Sequence, residues 1–141
     1  MKFNDFIHDG QVRRSGNDKN LAEALIRQTM EDMDFFDGLE VNDKSSRKLV
    51  SNYYDFLRSV LEAMTALDGY KVYSHEAFYY YLKEKEEEVI SLKFDRFRKL
   101  RNGINYYGKN VSSTEAKEII KDIKNTMEYL INKYFLGGMR E

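Results

Sequence analysis

Hydrophobic and polar positions alternate along this chain with the three- and four-residue steps of amphipathic helices. From Asp18 the apolar positions are Ala22, Leu25, Ile26, Met33 and Phe36, with Thr29 on the same face. Asp18 or Asn17 is placed to cap that helix, and Gly38 to stop it. A stronger stripe follows through Leu49, Tyr53, Phe56, Leu57, Val60, Leu61, Met64 and Leu67, with Asn42 or Asp43 as its start and Gly69 as its end. Ser74 opens a shorter helix with Ala77, Phe78, Tyr81 and Leu82 on its buried side. The position three after that serine is Ala77, so the reciprocal capping box is missing, while Glu76 suits the first turn through the helix dipole.

The next stripe, Ile90, Phe94, Phe97, Leu100, Ile104 and Tyr107, predicts a helix ended by a left-handed Gly108. In the last segment Ser112 or Ser113 is the cap, and Ser112 with Glu115 has capping-box spacing. Ala116, Ile119, Ile120, Ile123, Met127, Leu130, Ile131 and Tyr134 face inward there, and Gly137–Gly138 is the expected stop. Residues 1–16 contain Gly10 and Gly16 and little periodicity, so they read as a loose arm or a short docked segment before one helical domain over 17–141. No alternating strand pattern and no Asn-Gly hairpin stands out. The expectation is an all-α antiparallel bundle of four main helices with a short additional helix.

Composition changes this picture in a few places. The 141 residues suit a single domain, and 42% hydrophobic with 33% charged residues suits a folded, soluble one. Proline is absent, which removes the strongest helix breaker. Cysteine is absent as well, which excludes disulfides, thiolate metal sites and a cysteine nucleophile. No apolar run approaches the ~18 residues of a membrane span and no signal-like start is seen, so a cytoplasmic protein free of the membrane is expected.

The net charge of -1 makes the whole chain no general binder of polyanions, but the charge is uneven. Glu84, Glu86, Glu87 and Glu88 run directly into Lys93, Arg96, Arg98, Lys99 and Arg101, opposed only by Asp95. Two solvated helix faces of opposite sign are one reading; a local patch facing phosphate is the other.

Chemistry concentrates in Leu100–Gly108. Arg101 offers a planar fixed cation, Asn102 both donates and accepts, and Tyr106 and Tyr107 offer stacking faces and hydroxyls for bases, ribose or phosphate. Gly103 inside a helix costs about 1 kcal/mol relative to alanine, so a close packing or backbone approach is expected around it. The structural alternative is that Arg101 neutralises the helix end, Asn102 satisfies a carbonyl and Tyr107 packs in the core. The chain has only His8 and His75, which leaves no histidine-rich metal site, and neither a di-metal bundle pattern nor a phosphate loop is present. His75, next to a cap serine, is a packing residue or a proton carrier if it faces the basic segment.

The order of a long helix, Gly-Tyr, Ser74–Ala77 as SHEA, an acidic joint, a basic helix, Arg101–Gly108 as RNGINYYG and a capped last helix resembles the HEPN domains of prokaryotes, over roughly 21–134. The resemblance implies an all-α bundle that pairs as a homodimer, with the arginine segments near a shared groove. It also implies either metal-free RNA cleavage, binding of RNA or a nucleotide, or partnership with a nucleotidyltransferase as toxin and antitoxin. No cofactor is implied. Arg101 matches the family arginine and Asn102 its polar neighbour, whereas the expected histidine position falls on Tyr106. A phenol with a pKa of about 10 is a poor general base at neutral pH, though it donates hydrogen bonds to phosphate.

The resemblance therefore implies a binding-only protein, with Arg98, Arg101, Asn102, Tyr106 and Tyr107 as contacts and His75 as a possible addition. The alternatives are a ribonuclease toxin using Arg101, Asn102 and Tyr106, with Tyr106 or His75 in the histidine's place, and a purely structural interaction bundle. The 11 Tyr and 9 Phe leave more aromatic surface than a thin bundle hides, which also favours pairing of copies.

Overall fold

The computed structural model describes residues 1–139, and side chains through Phe135. Six helices and two short strands follow in the order α1 Phe3–His8, β1 Val12–Arg14, α2 Lys19–Asp37, α3 Ser46–Leu67, β2 Tyr70–Val72, α4 His75–Glu84, α5 Glu88–Tyr107 and α6 Ser113–Met139. The chain is therefore mostly helical. Among the described residues, no helix is long and apolar enough to cross a membrane.

Local chemistry explains the helix starts. The Asp18 carboxylate accepts the Leu21 N–H at 2.9 Å, which satisfies one of the free donors at the start of α2. Asn42 does not open α3 directly. It builds a turn, accepting the N–H groups of Lys44 and Ser45 at 3.0 Å each, and α3 begins beyond Ser45. At α6 the box is complete: Ser112 Oγ accepts from Glu115 N–H at 3.2 Å, and Glu115 accepts from Ser112 N–H at 3.3 Å. Two expected stops behave differently. Gly108 adopts φ +66° and ends α5, whereas α6 runs through Gly137–Gly138 to Met139, because glycine weakens a helix without forbidding it.

α3 is the central strut, and packs against α2, α5, α6 and β2. Leu57, Val60 and Leu61 are fully buried on it. Each buried aliphatic side chain of this kind contributes about 1.5–3 kcal/mol from water exclusion. The apolar face of α5 ends at buried Ile104, and Tyr107 is 85% exposed rather than packed.

The first sixteen residues are docked into the fold. Phe3, Phe6 and Val12 are buried, and the Phe3 ring meets Tyr70 edge-on at 5.1 Å and Tyr81 at 5.6 Å. β1 pairs antiparallel with β2, Val12 opposite Val72, a ribbon that the hydropathy pattern does not announce because three residues are too short to alternate visibly. Gly69 makes the junction possible. Its φ is +86°, and a Cβ there would lie 2.9 Å from the carbonyl oxygen of Ser15, whose own N–H donates to Gly69 O at 2.8 Å.

The acidic joint between α4 and α5 is not a uniform solvated face. Glu87 turns inward and accepts from Tyr129 Oη at 2.8 Å, Lys133 Nζ at 2.7 Å and Tyr134 Oη at 2.5 Å. Burial alone pushes its carboxyl up, but the hydrogen bonds of Lys133, Tyr134 and Tyr129 and the Lys133 charge outweigh it and hold the group below the usual carboxylate range.

Candidate basic site at the α3–α5 face

The basic run divides into two parts. Lys93 and Arg96 reach across to Asp122 of α6 at 2.8 and 2.5 Å, tying the two helices together. Lys99 pairs with Asp95 at 3.0 Å on its own helix. What remains is Arg98 and Arg101, three positions apart on the α5 face that meets α3 and largely withdrawn from solvent, each side chain 19% exposed.

α3 supplies what the sequence reading missed. Tyr54, Asp55 and Arg58 lie within or beside its apolar stripe, and the chain's turn brings them against Arg101. The Arg101 guanidinium carbon stands 5.6 Å from the centre of the Tyr54 ring, a cation–π contact with a fully buried tyrosine that also stacks on Phe94 at 5.7 Å. Arg101 Nη2 lies 3.8 Å from Asp55 Oδ1, and Arg58 Nε lies 3.9 Å from the same oxygen. Arg58 also pairs with Glu62 one turn along α3, and Arg98 Nη2 pairs with Asp95 at 2.9 Å. The signal available in sequence was a polar pair, Asp55 and Arg58, set three apart within a strongly apolar helix.

His75, the first residue of α4, joins the same cluster. Its Nδ1 is 3.1 Å from Tyr54 Oη. Burial, then the charges of Arg58, Arg101 and Arg98, lower its pKa to about 4, so the imidazole is neutral at pH 7. Burial pushes the Tyr54 phenol up more strongly than the three arginines pull it down, so it keeps its proton. The simplest pairing has Tyr54 O–H donating to Nδ1, which leaves the imidazole proton on Nε2.

The polar balance of this cluster is unusual. The Nε atoms of Arg58, Arg98 and Arg101, and Asp55 Oδ1, are buried without a hydrogen-bond partner among the described residues. Each such group costs about 1–3 kcal/mol in desolvation, more when charged. Chemically the site presents three planar permanent cations around a neutral imidazole and a buried phenol, a set suited to an anion with several oxygens.

Of the residues singled out from sequence, the fold brings together Arg98, Arg101 and His75. Asn102 is half-buried beside Arg101. Tyr106 and Tyr107 are 70% and 85% exposed near the end of α5. Tyr106 is five positions after Arg101, which turns it by about 140° around the helix and away from the Arg101 direction. Gly103 faces no obstruction: a Cβ there would meet Lys109 Cδ at 3.5 Å, an ordinary contact, so the expected close approach is absent. Among the described residues, no group of three or more His, Asp or Glu side chains is arranged to hold a metal ion. No protein-family model, curated protein or solved structure matches this chain.

Proposed function

We propose that this chain is a HEPN-like protein, built on an antiparallel four-helix bundle and paired as a homodimer, that binds phosphate groups of RNA or of a nucleotide without cleaving them. The observation that carries this reading is the set of buried, unpartnered Nε donors on Arg58, Arg98 and Arg101, gathered beside Tyr54 and His75. A phosphate oxygen satisfies such donors. Tyr106, the residue in the expected histidine position, is turned outward and is a phenol, which argues against catalysis from that position. Exposed Tyr106 and Tyr107 suit stacking on bases that wrap around the end of α5, since Tyr106 does not point the way Arg101 does.

The test is a fluorescence titration at low salt with a labelled oligoribonucleotide and, separately, a labelled nucleotide. Arg101→Ala weakens binding by about tenfold or more and lowers the salt dependence. Absence of binding by the wild-type protein refutes the reading. A second reading, a metal-independent ribonuclease, is favoured by one observation: neutral His75 lies against the buried tyrosine that Arg101 covers. Cleavage of RNA in the presence of a chelator, lost in both Arg101→Ala and His75→Asn, supports it; an inert wild-type protein sinks it. A nucleotidyltransferase is the partner class this reading carries, and co-purification with one encoded beside it is the corresponding check.

A further inference from the structure

We infer that Asp55 is a built-in competitor for the phosphate site, a carboxylate that occupies the space between Arg58 and Arg101 and must be displaced when an anion binds. The inference rests on the phosphate reading above. Three carboxylates serve the three arginines of the cluster, and they do so differently. Glu62 pairs with Arg58 within α3, and Asp95 pairs with Arg98 within α5 at 2.9 Å, each pair local to one helix. Asp55 instead faces across from α3 to α5. Its Oδ1 lies 3.8 Å from Arg101 Nη2 and 3.9 Å from Arg58 Nε, beyond the roughly 2.7–2.9 Å of a direct charge-assisted hydrogen bond.

That oxygen is buried and has no donor among the described residues. Asp55 thus compensates charge without locking either guanidinium in a hydrogen bond. Arg101 pairs with Asp55 alone among the described residues, and only at this longer distance. An anionic oxygen that accepted from Arg58 Nε and Arg101 Nη2 at hydrogen-bond length would have to take the place now held by Asp55 Oδ1, against the repulsion of a like charge. The consequence is selectivity by charge density. A single weakly charged anion does not displace Asp55, whereas a chain of phosphates with further contacts along α5 does.

The experiment is a titration of a short fluorescein-labelled oligouridylate into wild type, Asp55→Asn, Asp55→Ser and Glu31→Gln, the last an exposed α2 carboxylate that controls for net charge. Circular dichroism confirms folding of each. The expected result is binding about tenfold tighter in both Asp55 variants, no comparable gain in Glu31→Gln, and loss of the gain when Arg101→Gln is added. Wild-type binding that stays equal or weakens in the Asp55 variants overturns the competitor role while leaving the phosphate site standing. No binding by any of the proteins overturns the phosphate reading and the competitor role with it.

Should both variants fail to fold, the arginine Nε–Hε signals of the wild-type protein decide the matter under the same titration. Joint shifts of Arg58 and Arg101 support displacement of Asp55. Shifts confined to other arginines overturn it.

Discussion

His75 ties the stability of the protein to pH in a way that isolates one residue. Its imidazole falls from an ordinary 6.5 to about 4 in the fold, chiefly through burial and then through Arg58, Arg101 and Arg98. Between those values the unfolded chain binds a proton that the folded chain refuses. The stability His75 allows is therefore complete above pH 6.5, falls as pH drops towards 4, and changes no further below that. A shift of this size has a ceiling of about 3.4 kcal/mol, and partial exposure to solvent screens it to about 1–2 kcal/mol.

The assay is urea unfolding followed by circular dichroism at about pH 7.5 and about pH 5, on wild type and His75→Asn. Asparagine keeps an acceptor for Tyr54 but does not titrate. Over that interval the wild-type protein should lose at least about 1 kcal/mol more stability than His75→Asn loses. Glu87, held by hydrogen bonds from Lys133, Tyr134 and Tyr129, and Asp95, held by Arg98 and Lys99, have these bonds outweigh the opposing effect of burial; they lose their contribution only as pH falls below 4.5 and 3.8, and they do so in both proteins. Parallel pH profiles for the two proteins would refute the assignment of the imidazole to a buried, cation-flanked position.

Other outcomes follow from packing and backbone geometry. Phe94, fully buried between Tyr54 and Phe78, should cost about 3–5 kcal/mol of unfolding free energy when changed to alanine, read by the same denaturation. Gly69→Ala forces a side chain into φ +86° and within 2.9 Å of Ser15 O, so the melting temperature should fall and the amide protons of the β1–β2 ribbon should exchange faster. Gly103→Ala acts in the other direction: the helix gains about 0.5–1 kcal/mol because nothing blocks a methyl group there, and a lower melting temperature would contradict the open surroundings of that position.

The helices were readable because their evidence is local. The three- and four-step stripe of α3 and the Ser112–Glu115 box each lie within a few turns of chain, and the buried residues and the cap hydrogen bonds fall on the positions they mark. The ribbon was hidden because its two strands are three residues each and their partner lies far away in sequence. At the site, Arg98, Arg101 and His75 were visible as residue types, but their company was not. Tyr54, Asp55 and Arg58 drew no attention in the sequence, because no spacing rule within α3 reports what α5 places opposite. Tyr107 fitted the periodic stripe and yet ends up exposed, since the stripe outlasts the surface it packs against.

The ribbon also orders events during synthesis. Val12 pairs with Val72, sixty residues later, so β1 leaves the ribosome well before its partner exists. At 5–20 residues per second the wait is about 3–12 s. Throughout it Phe3 and Phe6 lack the Tyr70, Tyr81 and Tyr80 rings they pack against, and only at its end have α2 and α3 both been made. Phe3, Phe6 and Val12, made before α2 and α3, thus settle after them. A nascent chain arrested before Tyr70 presents two loose phenylalanines to whatever apolar surface is nearby, including that of a neighbouring nascent chain.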